Sequence, residues 1–185
     1  KIVNDGLAPV FQAGLRSAVA APIILAWCLW RQTKIRIDRD ILIPGIITGF
    51  AFAAEFALLF QAVQYTTVAR ASVFFYTMPF WVALGAHFLI PGEKLTPIRI
   101  AGLALAAIGV AIALSNKNLD AGPLSLRGDI MALLAATGWA AIAIVARTTK
   151  FSTITPDLQL LYQLAVSAVL LLPLALWLGH GLREP

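Results

Sequence analysis

The sequence is organised around the apolar stretch Pro9–Trp30, PVFQAGLRSAVAAPIILAWCLW, which returns 147 positions later as Pro156–Trp177, PDLQLLYQLAVSAVLLLPLALW. Each stretch is long enough to cross the hydrocarbon core of a membrane as one helix. Residue types that recur by chance in an alanine- and leucine-rich chain carry little weight, but three rarer types also coincide. These are Pro9 with Pro156, Gln12 with Gln159, and Trp30 with Trp177. The coincidences indicate an internal duplication; two unrelated lipid-facing helices are the alternative.

The composition points to an all-α protein that crosses a membrane several times. The chain is 60% hydrophobic and 12% charged, whereas a soluble domain carries about 25% charged residues. Its net charge of +5 lies in short loops between apolar blocks, which is the orientation signal of membrane proteins rather than a nucleic-acid surface. The single cysteine, Cys28, excludes an intrachain disulfide and argues against a thiolate metal site.

Six apolar blocks predict six transmembrane helices. We expect them at about residues 8–30, 41–64, 71–90, 98–114, 128–146 and 158–178. Residues 116–127 form the longest polar connection and divide the chain into residues 1–115 and 128–185. Stripes of small residues in the second and fourth blocks predict close helix packing. The stripes are Gly45, Gly49, Ala53 and Ala57, and then Gly102, Ala106, Gly109 and Ala113.

Local signals predict where helices begin and bend. Pro9 is suited to the first turn of its helix, and Thr96 followed by Pro97 is typical of an N-cap and first helical residue. Pro79 should kink the third helix and free a carbonyl group, with Tyr76 just before the kink.

Basic residues predict the orientation in the membrane. The loops after the first, third and fifth blocks hold eight lysine and arginine residues, and the opposite side holds five, so the first set is expected in the cytoplasm. The five on the other side are Lys1, Arg70, Lys117, Arg127 and Arg183. The first and sixth helices then run in opposite directions, as in inverted-repeat transporters. The chain begins at Lys1 on the outer side, so we expect a further helix upstream and interpret the chain as a fragment.

Two charges inside apolar blocks, Arg16 and Glu55, are the principal candidate site residues. A charge in hydrocarbon costs about 3 kcal/mol or more, so it faces a partner or a watery cavity. Their depths nearly match, which favours a shared cavity and a pairing of the two. Such a pair could bind a substrate carboxylate or amine or carry a coupling proton; a purely structural ion pair is the alternative.

Other polar and aromatic residues are weaker candidates. Gln12, Gln159 and Gln163 could bind a polar solute or bond across helices. Tyr76 and Trp139 could line a cavity, although aromatic residues more often only pack. The remaining charged residues are expected to have structural roles: His87 at the interface, Glu93 in the cytoplasmic loop, Asp129 in the first turn of its helix, and Arg70 reaching towards the outer headgroups.

An ordered series of motifs resembles the EamA repeat of the drug/metabolite transporter superfamily. The series is Ala69–Ser72, Met78–Phe80, Gly92–Thr96, Ile100–Gly102 and Gly109–Val110. The resemblance implies ten helices in two inverted five-helix repeats. This chain would supply helices two to seven: residues 1–115 as the first repeat without its first helix, and residues 128–185 as the start of the second.

The resemblance implies a multi-pass inner-membrane permease that moves small metabolites such as amino acids, most plausibly by export, through alternating access. Protons are a possible coupling ion, and no oligomeric state is implied. The sequence holds no catalytic or nucleotide-binding motif, so we expect neither an enzyme nor a cofactor. His87 and His180 are predicted on opposite membrane sides and cannot share a metal. The alternatives are a non-transporting membrane assembly factor or sensor and an intramembrane lipid enzyme, for which no nucleophile with a base is found.

Overall fold

The computed structural model of the chain describes residues 8–115, 122 and 125–177. Within these residues every regular element is a helix. The sequence predictions for Lys1, Lys117, His180 and Arg183 fall outside the described residues.

In the described residues, six helical segments are long and apolar enough to cross a membrane. In chain order the helices are α1 (Pro9–Trp30), α2 (Arg39–Tyr65), α3 (Val68–Phe75), α4 (Met78–Leu89), α5 (Pro97–Leu114), α6 (Ser125–Thr148) and α7 (Pro156–Trp177), with a short 3-10 helix, Lys150–Thr153, before α7. Helices α3 and α4 together form one membrane-length segment, Val68–Leu89. The all-helical, multi-pass class predicted from the sequence is confirmed.

The helix termini follow from local chemistry. Pro9 is the first residue of α1, where its missing N–H costs nothing. The Thr96 side chain caps α5 by accepting a hydrogen bond from the Arg99 backbone N–H. Helix α6 begins at Ser125, three residues before the predicted start. Residues 125–127 can adopt a helical conformation and therefore extend the helix before Gly128. Asp129 therefore lies beyond the first turn, and the first-turn prediction for it is wrong.

The third membrane segment is interrupted at Tyr76 and Thr77, immediately before Pro79. The Thr77 hydroxyl donates to the Phe74 carbonyl oxygen over 2.6 Å, and Pro79 lies in the first turn of α4. A proline near a helix start cannot donate to the preceding turn. Two helices therefore meet where one continuous helix could have run.

The chain divides into two compact units, Lys1–Ala57 with Val145–Pro185, and Leu58–Ile144. In the first unit, α1 and α7 pack together along their lengths. Ser17 contacts Ser167, while the earlier Gly14 lies against the later Leu171 and Leu172. The residue numbers change in opposite directions along the contact, so the two helices are antiparallel. The two duplicated stretches therefore run in opposite directions, and they cross near Ser17 and Ser167.

Helix α2 packs on the same α7 through its small residues. A Cβ added at Gly45 would lie 2.7 Å from the Tyr162 ring, and one added at Gly49 would lie within 2.8 Å of a Val166 methyl group. Ala53, the next residue of the stripe, is buried. The predicted close-packing role of this stripe is confirmed for these two glycines.

The small-residue face of α5 has no such neighbour in the described part of the chain. Gly102 and Gly109 have open space around the position of a Cβ, and no residue of α5 is buried. The sequence alone cannot separate a stripe that packs inside this chain from one that faces outward, because both need the same small residues.

The second unit is held by a small apolar core and an ion pair. Ala62, Ala71 and Ala132 are buried together. Arg70 donates to both carboxylate oxygens of Asp129 over 2.8 to 2.9 Å. The expectation that Arg70 reaches outward as a headgroup anchor is therefore wrong: its side chain is 22% exposed and turns onto a carboxylate.

Candidate solute site

One buried carboxyl group lacks the partner that the other buried polar residues have. The buried polar or charged residues in the described part of the chain are Ser17, Thr48, Glu55, Thr66, Asp129 and Ser167. Ser17 bonds to Ser167, Thr48 to the Pro44 carbonyl oxygen, and Thr66 to Asp129. Glu55 is 2% exposed, and its Oε2 is buried without a hydrogen-bond partner among the described residues.

An unpartnered buried acceptor is costly, at about 1–3 kcal/mol. Native structures keep such groups where water, a ligand or a functional role accounts for them. In the first unit, the unpartnered oxygen of Glu55 therefore points to a functional role more strongly than any other residue does.

Arg16 contacts the residue next to Glu55 and not Glu55 itself. Its guanidinium carbon is 4.0 Å from the centre of the Phe56 ring, the residue that follows Glu55 on α2. The expected ion pair of Arg16 with Glu55 is not formed within 4.0 Å in the described residues. Ion pairs within 4.0 Å include Arg36 with Asp38, Arg70 with Asp129 and Lys150 with Asp40.

The two charges lie at comparable depth in the helices. At ~1.5 Å per residue, Arg16 is about 10 Å from the Pro9 end of α1, and Glu55 is about 15 Å from the Tyr65 end of α2. The Arg16 guanidinium group of α1 and the Phe56 ring of α2 form a cation–π contact. Such a contact is worth about 0.5–2 kcal/mol. The arrangement leaves the guanidinium hydrogen-bond donors and the carboxylate acceptor available to a third group.

Gln12 adds a second acceptor on the Arg16 face of α1. It lies four residues before Arg16, one helical turn away. Its Oε1 is buried and has no hydrogen-bond partner among the described residues. The first unit therefore contains the Arg16 cation and two buried acceptor oxygens, on Gln12 and Glu55, that lack a hydrogen-bond partner among the described residues.

Of the two α7 glutamines, Gln159 is engaged locally. Its Nε2 donates to the Phe151 carbonyl oxygen over 2.9 Å and to the Ile154 carbonyl oxygen over 3.4 Å. Because α1 and α7 are antiparallel, Gln12 and Gln159 lie near opposite ends of the helix pair, about 20 Å apart along the axis at ~1.5 Å per residue. The two amides cannot bind the same small solute together. Gln163, on the next turn of α7, is half-buried.

Tyr76 and Trp139 belong to the second unit. Tyr76 is 66% exposed at the break before Pro79, and Trp139 is 40% exposed on α6. Both are open to contact, and a role in binding stays a prediction for each. His87 accepts a hydrogen bond at Nδ1 from the Leu95 backbone N–H over 3.1 Å, which holds the loop after α4.

Sequence reasoning missed the ion pair of Arg70 with Asp129. The two residues are 59 positions apart, and no local pattern links an arginine after α2 to an aspartate in α6. The only available signal was the presence of opposite charges at helix ends that the topology puts on one membrane side.

A comparison with known families finds a match over residues 1–115 to the EamA-like transporter family. The chain belongs to the EamA-like transporter family. The match covers more than half of the sequence and agrees with the motif series that resembles the EamA repeat.

Relatives in other organisms are also named as transporters. The chain is 26% identical over 98% of its length to an uncharacterized transporter of Archaeoglobus fulgidus, and 27% identical over 93% to the uncharacterized transporter YoaV of Bacillus subtilis. It is 33% identical over 57% of its length to protein PagO of Salmonella typhimurium. The chain spans 62% of the first relative and 59% of the second.

A solved crystal structure shares the fold of this EamA-like chain. It superimposes on 97% of the chain with a TM-score of 0.71 and 21% sequence identity, and the chain spans 61% of that structure. The likeness supports the helical architecture described above. The chain is thus a multi-pass membrane protein of a transporter family.

Proposed function

We propose that the protein containing this EamA-like chain exports small zwitterionic metabolites, such as amino acids, across the inner membrane by alternating access. The observation that carries the proposal is Glu55, a buried carboxyl group with an unpartnered oxygen, next in sequence to the Phe56 ring that the Arg16 guanidinium group contacts. Membership of a transporter family supports transport in general; the substrate class and the direction are the proposal.

The charges of the site suit a zwitterion. A substrate carboxylate would accept hydrogen bonds from the guanidinium group of Arg16, which presents a planar fork of donors. A substrate ammonium group would donate to Glu55, with Gln12 as a second acceptor. A solute with both groups satisfies the cation and the acceptors at once, whereas a purely apolar solute leaves them unsatisfied.

The antiparallel pair α1 and α7 supports alternating access. Inverted repeats allow a carrier to open to either side by exchanging the conformations of its two halves. The hydroxyl groups of Ser17 and Ser167 meet at 3.0 Å where the duplicated helices cross, and a short polar contact can be made or broken at little cost. We infer that the two copies rock about this crossing.

Glu55 is also the proposed proton site. An intramembrane carboxylate is a functional group by default in transporters, and Glu55 can carry a proton when no ammonium group pairs with it. Substrate and proton would then compete for one carboxylate, which yields exchange of one for the other.

Flux measurements on the full-length protein in liposomes test the proposal. We expect proteoliposomes preloaded with labelled amino acids to release them faster than protein-free liposomes, and faster still when the exterior is made acidic. Analogues that lack either the ammonium or the carboxyl group should be released at the background rate. No release across a panel of amino acids and other metabolites would favour a non-transporting membrane assembly factor or sensor instead.

A further inference from the structure

A second feature of the first unit lies at the end of the helix pair away from Gln12. The loop after α1 and the segment before α7 enclose a cavity of about 260 Å³. Its polar lining comes from Thr33, Lys34, Arg36, Thr153 and Thr155, and Leu158 closes its inner side. Both segments are predicted to face the cytoplasm, so the cavity lies at headgroup level.

Two basic residues, Lys34 and Arg36, line this cavity. Arg36 is tied to Asp38 over 2.7 Å, and it also donates to Thr153 over 3.4 Å. Lys150 is tied to Asp40 over 2.5 Å. Lys34 has no carboxylate partner in the part of the chain that the structure describes, so its ammonium group is available to an anion.

The backbone around the cavity is held in place. The Tyr162 hydroxyl donates to the Arg36 carbonyl oxygen over 2.5 Å, and Gln159 donates to the carbonyl oxygens of Phe151 and Ile154. The Phe151 ring is buried and lies edge-on to Tyr162, with 5.9 Å between the ring centres. The pocket is therefore formed before any ligand arrives, which lowers the cost of binding.

Two apolar grooves continue from this polar mouth. The first, of about 300 Å³, shares Leu158 with it and is lined by Leu25, Ile37 and Leu161. The second, of about 310 Å³, shares Tyr162 and Ala165 with the first and continues along α7 to Val169 and Leu170. A basic and hydroxyl-lined mouth thus opens into two adjoining apolar grooves on one helix.

We propose that this composite cavity binds one anionic phospholipid, with its phosphate at Lys34 and the two acyl chains along the grooves of α7. Lysine is a phosphate binder, and the Thr33 and Thr155 hydroxyls can donate to the remaining phosphate oxygens. The order of the parts along the membrane normal, basic then apolar, matches the order of the parts of a phospholipid. This lipid site is separate from the Arg16 and Glu55 region, and the inference does not depend on solute transport.

Native mass spectrometry of the full-length protein in detergent tests the site. We expect added phosphatidylglycerol to be retained in preference to phosphatidylcholine. Lys34→Gln should lower the retention of phosphatidylglycerol about fivefold, the effect of one cationic side chain at an anionic lipid surface. Lys94→Gln, in another predicted cytoplasmic loop, is the matched control and should leave retention unchanged.

A second variant tests the grooves. Ala165→Leu fills the position that both grooves share and should also lower retention, while Ala106→Leu on the open face of α5 is its control.

Millimolar inorganic phosphate or glycerol phosphate should not displace the lipid, because neither occupies the grooves. Since Lys34 is exposed, Lys34→Gln should fold normally and decides the case if Ala165→Leu does not fold. Equal retention of both lipids, unchanged retention in Lys34→Gln, or displacement by free phosphate would each overturn the proposal.

Discussion

At the scale of single residues, the chain contrasts a satisfied buried carboxylate with an unsatisfied one. Asp129 accepts from both Arg70 and Thr66, whereas the Oε2 of Glu55 accepts from none of the described residues. The first arrangement stabilises a fold, and we propose that the second keeps hydrogen-bonding capacity for a ligand. The two carboxylates should therefore respond differently to neutralisation.

Neutralising Asp129 should destabilise the protein. Asp129→Asn leaves the half-buried Arg70 without its counter-ion, and breaking a buried pair in this way costs about 3–5 kcal/mol. We expect the thermal unfolding temperature of the purified protein to fall. In a double-mutant cycle, adding Arg70→Met to Asp129→Asn should cost less than the sum of the two single changes. Additive losses would show that the two side chains are not coupled.

At the scale of helices, the close contact of α2 with α7 depends on Gly49. Gly49→Val would place methyl groups against Val166, and overpacking of this kind costs about 1–3 kcal/mol. We expect a lower unfolding temperature for Gly49→Val, partly restored by adding Val166→Ala. Gly109→Val, at a position with open space around it, is the control and should unfold like the wild type.

The antiparallel crossing of α1 and α7 makes a second prediction at this scale. In a Cys28→Ser background, oxidation should cross-link Ser17→Cys with Ser167→Cys, and Ala13→Cys with Leu171→Cys, one turn further along each helix. The pair Ala21→Cys with Leu171→Cys should stay apart, since it is about 12 Å out of register at ~1.5 Å per residue. Gel mobility reads the result, and cross-linking of the third pair in place of the second would indicate parallel helices.

The sequence could predict the helices, because the length of an apolar block is a local signal, while the internal duplication stays a prediction. Thr96 and Pro97 likewise locate a helix start through chemistry confined to one turn. The partner of Arg70 and the local engagement of Gln159 could not be predicted, since each depends on a contact set by tertiary packing. For the same reason, the sequence could not predict that Gly49 packs against α7 while Gly109 has open space around it.

At the scale of the whole molecule, the chain belongs to a transporter family and spans about 60% of the length of the first relatives that it matches. Its relatives are longer, so solute flux belongs to the full-length protein, and function is best tested there. Two independent ligand regions are proposed: a zwitterion site at Arg16 and Glu55 within the membrane, and an anionic lipid site at Lys34 near its surface. Lys34→Gln should therefore leave the release of labelled amino acids per folded protein largely intact.

The central claim is that Arg16 and Glu55 contact the transported solute, and amino-acid flux in proteoliposomes containing Arg16→Gln or Glu55→Gln tests it most directly. Each variant removes one charge without a large change in volume, and Arg99→Gln on the exposed start of α5 is the matched control. We expect Arg16→Gln and Glu55→Gln to reduce flux at least tenfold, the effect of losing one charge-assisted hydrogen bond of about 1.5–3 kcal/mol, with normal expression and unfolding temperature. We also expect Glu55→Gln to lose the acceleration by an acidic exterior. Wild-type flux in both variants, at normal expression, would contradict the claim.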